Sequence, residues 1–147
     1  MMKIAMASDH AGYELKQKIK AHLEITGLAV EDYGTFKTTP ADYPDYGVLA
    51  ARAVAQGKAD RAILICGTGI GMSIVANKVK GIRAALCTST EMAELSRRHN
   101  DANVLALGGR LTNDELALEI VDVWLKTPFE GERHLPRIKK IHQLTGL

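Results

Sequence analysis

The segment RAILICGTGIGMSIVANKV, from Arg61 to Val79, decides the fold of this chain. It begins with a run of apolar residues that ends at Cys66, which is typical of a strand buried on both faces of a parallel sheet. Alternating glycines follow at positions 67, 69 and 71, and a helical pattern then continues to Val79. A buried strand, a tight glycine loop and a helix together predict one βα unit of an α/β domain.

The rest of the chain repeats this alternation. The predicted strands run from Lys3 to Ser8, Ala29 to Tyr33, Arg61 to Cys66, Ile82 to Cys87 and Asn103 to Leu107. The predicted helices run from about Leu15 to Gly27, Asp45 to Gln56, Gly71 to Val79, Ser89 to His99, Asn113 to Lys126 and Glu132 to Leu144. This pattern predicts a three-layer α/β/α domain of the Rossmann-like kind with a five-stranded parallel sheet. The length of 147 residues predicts one domain over residues 1–147, with a C-terminal helical segment from about residue 132.

Composition excludes several classes of protein. The formal net charge is +2, with 19 Lys and Arg against 17 Asp and Glu. The sequence has no basic stripe, so a nucleic-acid-binding surface is not expected. No apolar run approaches the ~20 residues of a membrane-spanning helix, and the first residues do not resemble a signal peptide. The two cysteines lack CxxC spacing, and the five histidines lack HxH or HExxH spacing, so neither a disulfide framework nor a metal site is expected. These observations predict a cytoplasmic protein that binds neither nucleic acid nor membrane.

Polar residues gather where the first and third strands end. Asp9 and His10 follow the first strand, and Cys66 and Thr68 mark the end of the third. Ligands of open parallel sheets bind beyond the carboxyl ends of the strands, at the point where the strand order reverses. If the first and third strands are neighbours on either side of that point, all four residues surround one crevice.

The loop from Gly67 to Gly71 has two readings. Alternating glycines turn several backbone N–H groups toward one point, and the following helix adds its positive end, which suits a phosphate or an oxyanion. The second reading is purely structural, a tight turn between a strand and a helix. Its GxGxG spacing does not match the dinucleotide fingerprint, and it lacks the GK[ST] of a Walker loop.

Other polar residues have both a functional and a structural reading. Cys66, beside the glycine loop, is either a buried apolar residue or a reactive thiolate, whereas Cys87 is predicted to be structural. His99 ends a helix, where it either favours the helix dipole or takes part in the chemistry. Arg133 and Arg137 are four residues apart, so on a helix they share one face, as a phosphate clamp or as a solvated surface.

Five segments of the chain resemble one family. They are SDHAG, DYPDYG, ICGTGIGMSIVANKVKGIRAALC, SRRHNDANVLALGGR and EGERHxxR, and they span Lys3 to about Ile141. In order and spacing they are similar to ribose-5-phosphate isomerase of type B, and in part to the related galactose-6-phosphate isomerase subunits. The resemblance implies the strand order 2-1-3-5-4. It also implies an aldose–ketose isomerase of the pentose phosphate pathway that interconverts ribose 5-phosphate and ribulose 5-phosphate through a cis-enediolate.

The resemblance also implies roles for individual residues. Cys66 matches the base that moves the proton, and no glutamate stands near Met72, where another branch of the family has one. His99 matches the residue that opens the sugar ring, with Thr68 nearby. The positions that match substrate or phosphate contacts are Asp9, His10, Gly67, Thr68, Gly69, Ile70, Gly71, Asn100, Arg110, Arg133 and Arg137, with Tyr43 as a further possible contact. The family implies no cofactor and no metal, and a homodimer or homotetramer whose active sites are shared between subunits.

Two alternatives remain at this point. The nearer one is an isomerase of a six-carbon sugar phosphate, such as allose 6-phosphate or galactose 6-phosphate. The remoter one is a non-catalytic nucleotide-binding α/β module. A receiver-like domain would need an aspartate at the end of the third strand, where Cys66 stands instead.

Overall fold

The computed structural model describes residues 2–147 and contains one parallel sheet with helices on both faces. The strands are β1 (Lys3–Ser8), β2 (Ala29–Asp32), β3 (Arg61–Cys66), β4 (Ala84–Leu86) and β5 (Val104–Gly108). Their order in the sheet is β2-β1-β3-β5-β4, and every neighbouring pair is parallel. The strand order that the family resemblance implies is therefore confirmed.

The helices alternate with these strands along the chain. They are α1 (Tyr13–Ile25), α2 (Tyr43–Ala55), α3 (Ile70–Asn77), α4 (Thr90–Arg98), α5 (Asp114–Lys126) and α6 (Leu135–Thr145), with a 3-10 turn at Glu132–His134. Two of them have side-chain caps, because Ser89 accepts the N–H of Met92 at 3.1 Å and Asn113 accepts that of Leu116 at 2.8 Å. None of the helices within residues 2–147 has the length and apolar character needed to cross a membrane.

The chain reverses its direction of travel across the sheet between β1 and β3. β1 pairs with β2 on one side and with β3 on the other, where Ser8 lies opposite Ile65. Because β2 lies on one side of β1 and all later strands lie on the other, the loops after β1 and β3 diverge and leave a crevice. This is the predicted place for a ligand.

The two faces of the sheet have cores of different composition. The face that packs against α1 and α5 is built from large side chains, namely Ile4, Met6, Ile19, Leu23, Ile63, Ile65, Leu105, Leu107 and Trp124. The face that packs against α2 and α3 is rich in alanine, namely Ala5, Ala7, Ala50, Ala51, Ala53, Ala62, Ala76 and Ala106. These small side chains let α2 approach the sheet and α3 closely. A Cβ added at Gly47 of α2 would lie 2.5 Å from the sulfur of Met72 on α3.

A buried lysine holds the loop that follows β2. Lys16 of α1 is fully buried, and its Nζ donates to Asp32 at 2.7 Å and to the carbonyl oxygen of Thr35 at 2.5 Å. Burial lowers the pKa of Lys16, and the carboxylate of Asp32 acts in the opposite direction. The pair ties α1 to the loop that later passes beside His10.

Candidate active site

A cavity opens at the carboxyl ends of β1 and β3. Its volume is about 400 Å³, and it is lined by Asp9, Tyr43, Cys66, Gly67, Thr68, Ile70, Gly71 and Ile74. Three of the four residues expected around this crevice, Asp9, Cys66 and Thr68, line it together. His10 points instead toward the neighbouring loop, where it lines a second depression with Ala41 and Tyr46.

Cys66 is the last residue of β3 and supplies the thiol of this cavity. Cys66 is 4% exposed. Neither cysteine within residues 2–147 forms a disulfide. Cys87 is buried elsewhere, against Ala85 and Ser96, and burial raises the pKa of its thiol to about 11. A thiol in that state is a poor nucleophile and a poor base at neutral pH. The structural role predicted for Cys87 fits this environment, and Cys66 is the thiol with access to a cavity.

The glycine loop is held from both sides. The N–H groups of Gly109 and Arg110 donate to the carbonyl oxygens of Cys66 and Gly67 at 2.8 and 3.0 Å, which fixes the loop to the end of β5. Thr68 Oγ1 accepts the N–H of Ile70 at 3.2 Å, where α3 begins. The first N–H groups of a helix have no partner inside the helix, so this end of α3 faces the cavity with donors and a positive dipole. The loop therefore offers a place for a phosphate or an oxyanion.

Gly69 is required by the shape of this loop. Its φ is +82°, a conformation that side chains rarely adopt, and an added Cβ would lie 2.8 Å from the carbonyl carbon of Leu107. Gly57 also has a positive φ, +74°, but an added Cβ there meets nothing within 4 Å. A side chain at Gly57 would therefore meet backbone strain alone, whereas one at Gly69 would meet both backbone strain and a steric clash.

We expect Gly69→Ala to lower the free energy of unfolding by more than 2 kcal/mol, because left-handed strain of about 1–2 kcal/mol adds to the clash with β5. Gly57→Ala should cost only the strain, about 1 kcal/mol. Urea unfolding of both variants measures the difference. Equal losses of stability would mean that the loop can move away from β5 and does not need glycine at this position.

Asp9 and His10 are fixed by backbone groups. Asp9 is 7% exposed, and its Oδ1 accepts the N–H of Gly12 at 3.0 Å. Nδ1 of His10 lies 3.1 Å from the backbone nitrogen and 3.3 Å from the carbonyl oxygen of Ala41, so the backbone of Ala41 holds the ring. Asp9 thus presents its remaining oxygen to the cavity, whereas His10 lines the neighbouring depression.

Arg110 and Tyr43 lie at the same edge of the sheet. Arg110 follows β5, and its Nη1 is 3.5 Å from the point where a Cβ of Gly67 would stand. The ring of Tyr43 covers Gly71 so closely that an added Cβ would lie 2.5 Å from it. A cation therefore stands beside Gly67 and a tyrosine ring beside Gly71, at the two ends of the glycine loop.

His99 and Asn100 lie at the opposite edge of the sheet. Val104 is level with Ala62 at the start of β3, and Cys66 is four residues further along that strand, about 13 Å away at ~3.3 Å per residue. His99 and Asn100 precede Val104, so they lie beyond the amino end of β5. The ring of His99 stacks on that of His134 with centroids 4.4 Å apart, so the turn that carries Arg133 lies there too. The predicted site residues form two groups within one chain.

A half-buried ion pair supports the turn after His99. Asp101 has a φ of +46°, and its carboxylate accepts from Arg97 at 2.8 Å, while Arg83 donates to its carbonyl oxygen at 2.8 Å. Sequence reasoning missed both Asp101 and the partner ring His134. The HND sequence before a strand is a signal for the turn, whereas the stacking of His134 joins segments far apart in the sequence.

The parallel sheet and the cavity at its edge define the class of this protein as an α/β protein with an open sheet. The sheet is an open α/β sheet, and its cavity at the reversal point combines a thiol, a buried carboxylate and a glycine loop at a helix N-terminus. The model of the Ribose/Galactose Isomerase family matches residues 4–141. The chain belongs to this family.

Similar proteins agree with this assignment. The chain is 52% identical to ribose-5-phosphate isomerase B of Escherichia coli (strain K12) over 141 residues, which cover 96% of this chain and 95% of that protein. It is 47% identical over 142 residues to D-erythrulose-4-phosphate isomerase of Pectobacterium atrosepticum, covering 96% and 93%. Ribose-5-phosphate isomerase B from Mycoplasma genitalium, solved with bound ribulose-5-phosphate, superposes with a TM-score of 0.95 at 44% identity, covering 99% of this chain and 97% of that one.

Proposed function

We propose that this protein is a metal-independent aldose–ketose isomerase that interconverts ribose 5-phosphate and ribulose 5-phosphate. The observation that carries the proposal is the thiol of Cys66 beside the glycine loop in one cavity. Support comes from the relatives, because one is named for this activity and another was solved with the product ketose bound. The two free cysteines suit a reducing compartment, so we also propose that the enzyme works in the cytoplasm.

In this mechanism Cys66 acts as a base toward the open-chain sugar. The thiolate removes the proton from C2 of the aldose, and the electron pair moves to the C1 carbonyl to give a cis-enediolate. The N–H groups of the glycine loop stabilise the negative oxygen, and such donors are commonly worth about 3–4 kcal/mol each. A proton passes from the C2 hydroxyl to the C1 oxygen, the Cys66 thiol returns its proton to C1, and the C2 oxygen becomes the ketose carbonyl. The step needs no net change in oxidation state.

Ring opening requires a second acid–base group, and we propose that it is His99 of a second copy of the chain. Within one chain His99 and Cys66 lie at opposite ends of the strands, so they do not share a substrate. Ile70 and Ile74 on α3 are 52% and 56% exposed at the mouth of the cavity, an apolar surface that a second copy would cover. The proposed unit is therefore a homodimer, alone or within a homotetramer, in which each cavity receives His99 and Asn100 from the other chain.

The same arrangement would bring the arginines to the phosphate. Arg133 and Arg137 are exposed and lie on the His99 side of the molecule, while Arg110 lies beside the glycine loop. Guanidinium groups bind phosphate through paired hydrogen bonds, and the phosphate positions the reacting carbons from a distance.

We expect Arg137→Ala to raise KM for ribose 5-phosphate by about tenfold or more, since a lost hydrogen bond to a charged group costs ~1.5–3 kcal/mol. The turnover number should change much less, because the arginine binds substrate and transition state alike. Steady-state kinetics measure both constants, and Lys140→Ala on the same helix is the matched control for lost surface charge. An unaltered KM in Arg137→Ala would make that side chain a solvated arginine.

The proposed activity is tested by conversion of ribose 5-phosphate to ribulose 5-phosphate in the presence of EDTA. A panel of D-erythrulose 4-phosphate, allose 6-phosphate and galactose 6-phosphate tests the alternatives, of which the first is favoured by the relative from Pectobacterium. The highest kcat/KM is expected for ribose 5-phosphate. A higher value for another sugar would keep the chemistry and change the substrate, while ATP or NAD binding without any turnover would favour a binding module.

A further inference from the structure

The loop at residues 36–40, between β2 and α2, is fastened at its two ends. Within residues 2–147, no hydrogen bond between backbone groups involves residues 36–40, and all five are exposed. At the far end, the backbone of Ala41 holds the ring of His10. At the near end, Thr35 is buried, and its N–H donates to the carbonyl oxygen of Ser8 at 2.7 Å. The position of the loop therefore depends on how Thr35 is held.

Lys16 of α1 holds Thr35 from inside the molecule. The lysine side chain is fully buried, and its Nζ donates to the carbonyl oxygen of Thr35 and to Oδ1 of Asp32. The rings of Tyr13 and Phe36 lie 5.6 and 5.2 Å from the same nitrogen, within the range at which an aromatic ring attracts a cation. The ammonium group thus contacts both residues at which the loop begins.

Stability alone does not require a lysine at this place. Lysine is rarely fully buried, and replacing a buried ion pair by apolar side chains is often neutral or stabilising. The ammonium group adds direction, because its hydrogen bonds require the carbonyl oxygen of Thr35 and the carboxylate of Asp32 at fixed places. The same carboxylate oxygen accepts the N–H of Gly34 at 2.9 Å, so two successive residues are held through their backbone.

Ser8, at the end of β1, connects this network to the cavity. Its N–H donates to the carbonyl oxygen of Gly34, and its carbonyl oxygen accepts the N–H of Thr35, each at 2.7 Å. Asp9 is the next residue and presents a carboxylate oxygen to the cavity. His10 follows, and its ring meets the far end of the same loop. Both ends of the loop therefore act on the two polar residues that follow β1.

We propose that Lys16 is a positioning residue of the active site, which fixes the backbone that carries Asp9 and His10. The lysine side chain is fully buried and does not line the cavity, so it acts through these two residues. A misplacement of about 1 Å far from the chemistry can cost ~10²-fold in rate, and we expect a loss of about 10- to 100-fold in kcat/KM when Nζ is removed. This kinetic consequence rests on the proposed function, whereas the effect on the ring of His10 does not.

The test compares Asp32→Asn with a double variant, Lys16→Met and Asp32→Asn together. Lys16→Met alone leaves a buried carboxylate without its closest cation, which is strongly destabilising. Asparagine at position 32 removes that charge and keeps an acceptor for Gly34, while Lys16 still donates to Thr35. We expect kcat/KM for ribose 5-phosphate to stay within about threefold of the wild type in Asp32→Asn, and to fall by about tenfold or more beyond that in the double variant.

Two controls on α1 separate positioning from a general loss of stability. Lys20→Met removes the second cation near Asp32, whose Oδ2 lies 3.9 Å from Nζ of Lys20. Ile19→Ala removes a fully buried side chain from the same helix and lowers stability without removing any member of the network. Thermal melting defines a temperature at which every variant is folded. At that temperature both controls should keep kcat/KM within about twofold of the wild type.

The ring of His10 supplies a readout that needs no substrate. NMR of the histidine side chains should show the same His10 signals in the wild type and in Asp32→Asn. The double variant should give shifted or broadened signals, because the near end of the loop is released and Ala41 no longer holds the ring in one place. His22 is the internal control, since it lies on α1 and forms an exposed pair with Asp122 at 2.7 Å. His10→Asn assigns the signals.

Two kinetic outcomes would overturn the proposal. One is an unchanged kcat/KM in the double variant relative to Asp32→Asn. The other is an equal loss in Ile19→Ala, which would make the effect one of stability. If the wild type isomerises no sugar phosphate, the proposed function fails by itself and the NMR signals still decide. Unchanged His10 signals in the double variant would then reject the positioning role.

Discussion

Cys66→Ala is expected to lower kcat for the isomerisation by about three orders of magnitude, because a positioned general base contributes ~10²–10⁴-fold. Cys66 ends β3 inside the cavity, and one oxygen of the Asp9 carboxylate in the same cavity already accepts the N–H of Gly12. Ribose 5-phosphate should still bind, since the arginines that we propose as its phosphate contacts are unchanged. Turnover is measured by ketose formation and binding by calorimetry.

Cys87→Ala is the matched control, since it removes the other free thiol from a buried position outside the cavity. It should reduce stability by about 1–2 kcal/mol and leave kcat within a factor of two, provided that the assay is run below its melting temperature. If Cys66→Ala retained the kcat of the wild type, the proton would be moved by another group and the role of the thiol would be wrong.

Mixing two inactive variants, Cys66→Ala and His99→Asn, is expected to restore about a quarter of the wild-type activity after the subunits exchange. In a random mixture half of the dimers contain one chain of each kind, and one of their two cavities then combines an intact Cys66 with an intact His99. The prediction follows because the two residues of one chain lie at opposite ends of the strands. Activity is measured before and after mild denaturation and joint refolding.

The matched control mixes Cys66→Ala with Asp9→Ala. Both residues line the same cavity of one chain, so every mixed dimer has a defect in each cavity and no activity should return. Return of activity in this control would mean that the chains exchange segments, and no return in the first mixture would place Cys66 and His99 in the same chain's site.

The central strands could be predicted from the sequence almost to the residue. β1 and β3 have the predicted bounds, because each pairs on both sides and its apolar run is buried throughout. The edge strands are shorter than predicted. β4 covers Ala84–Leu86 within the predicted Ile82 to Cys87, since it pairs with β5 alone and the flanking residues leave the ladder. Strand order came from the family resemblance, since periodicity along a chain does not contain it.

The candidate site was predictable where strand ends define it. Asp9, Cys66 and Thr68 come together because parallel strands end at one edge. The placement of His99 follows from the same rule, since a helix returns the chain to the amino edge, but its stacking on His134 depends on the packing of two distant segments. Arg133 and Arg137 do not share one regular helix, because α6 begins at Leu135 and Arg133 lies in the preceding 3-10 turn.

The alanine-rich face of the sheet has a consequence for how this protein tolerates change. On the face with large side chains, a substitution fails by leaving a cavity, as when a leucine is shortened. At the alanines beside α2 and α3 there is little volume to remove. An enlarged side chain at Ala106 must push a helix away from the sheet, and one at Gly47 must push α2 away from α3. Because α3 starts at the glycine loop, such a push would also move the loop amides. Enlargement at these small positions is thus expected to cost activity as well as stability.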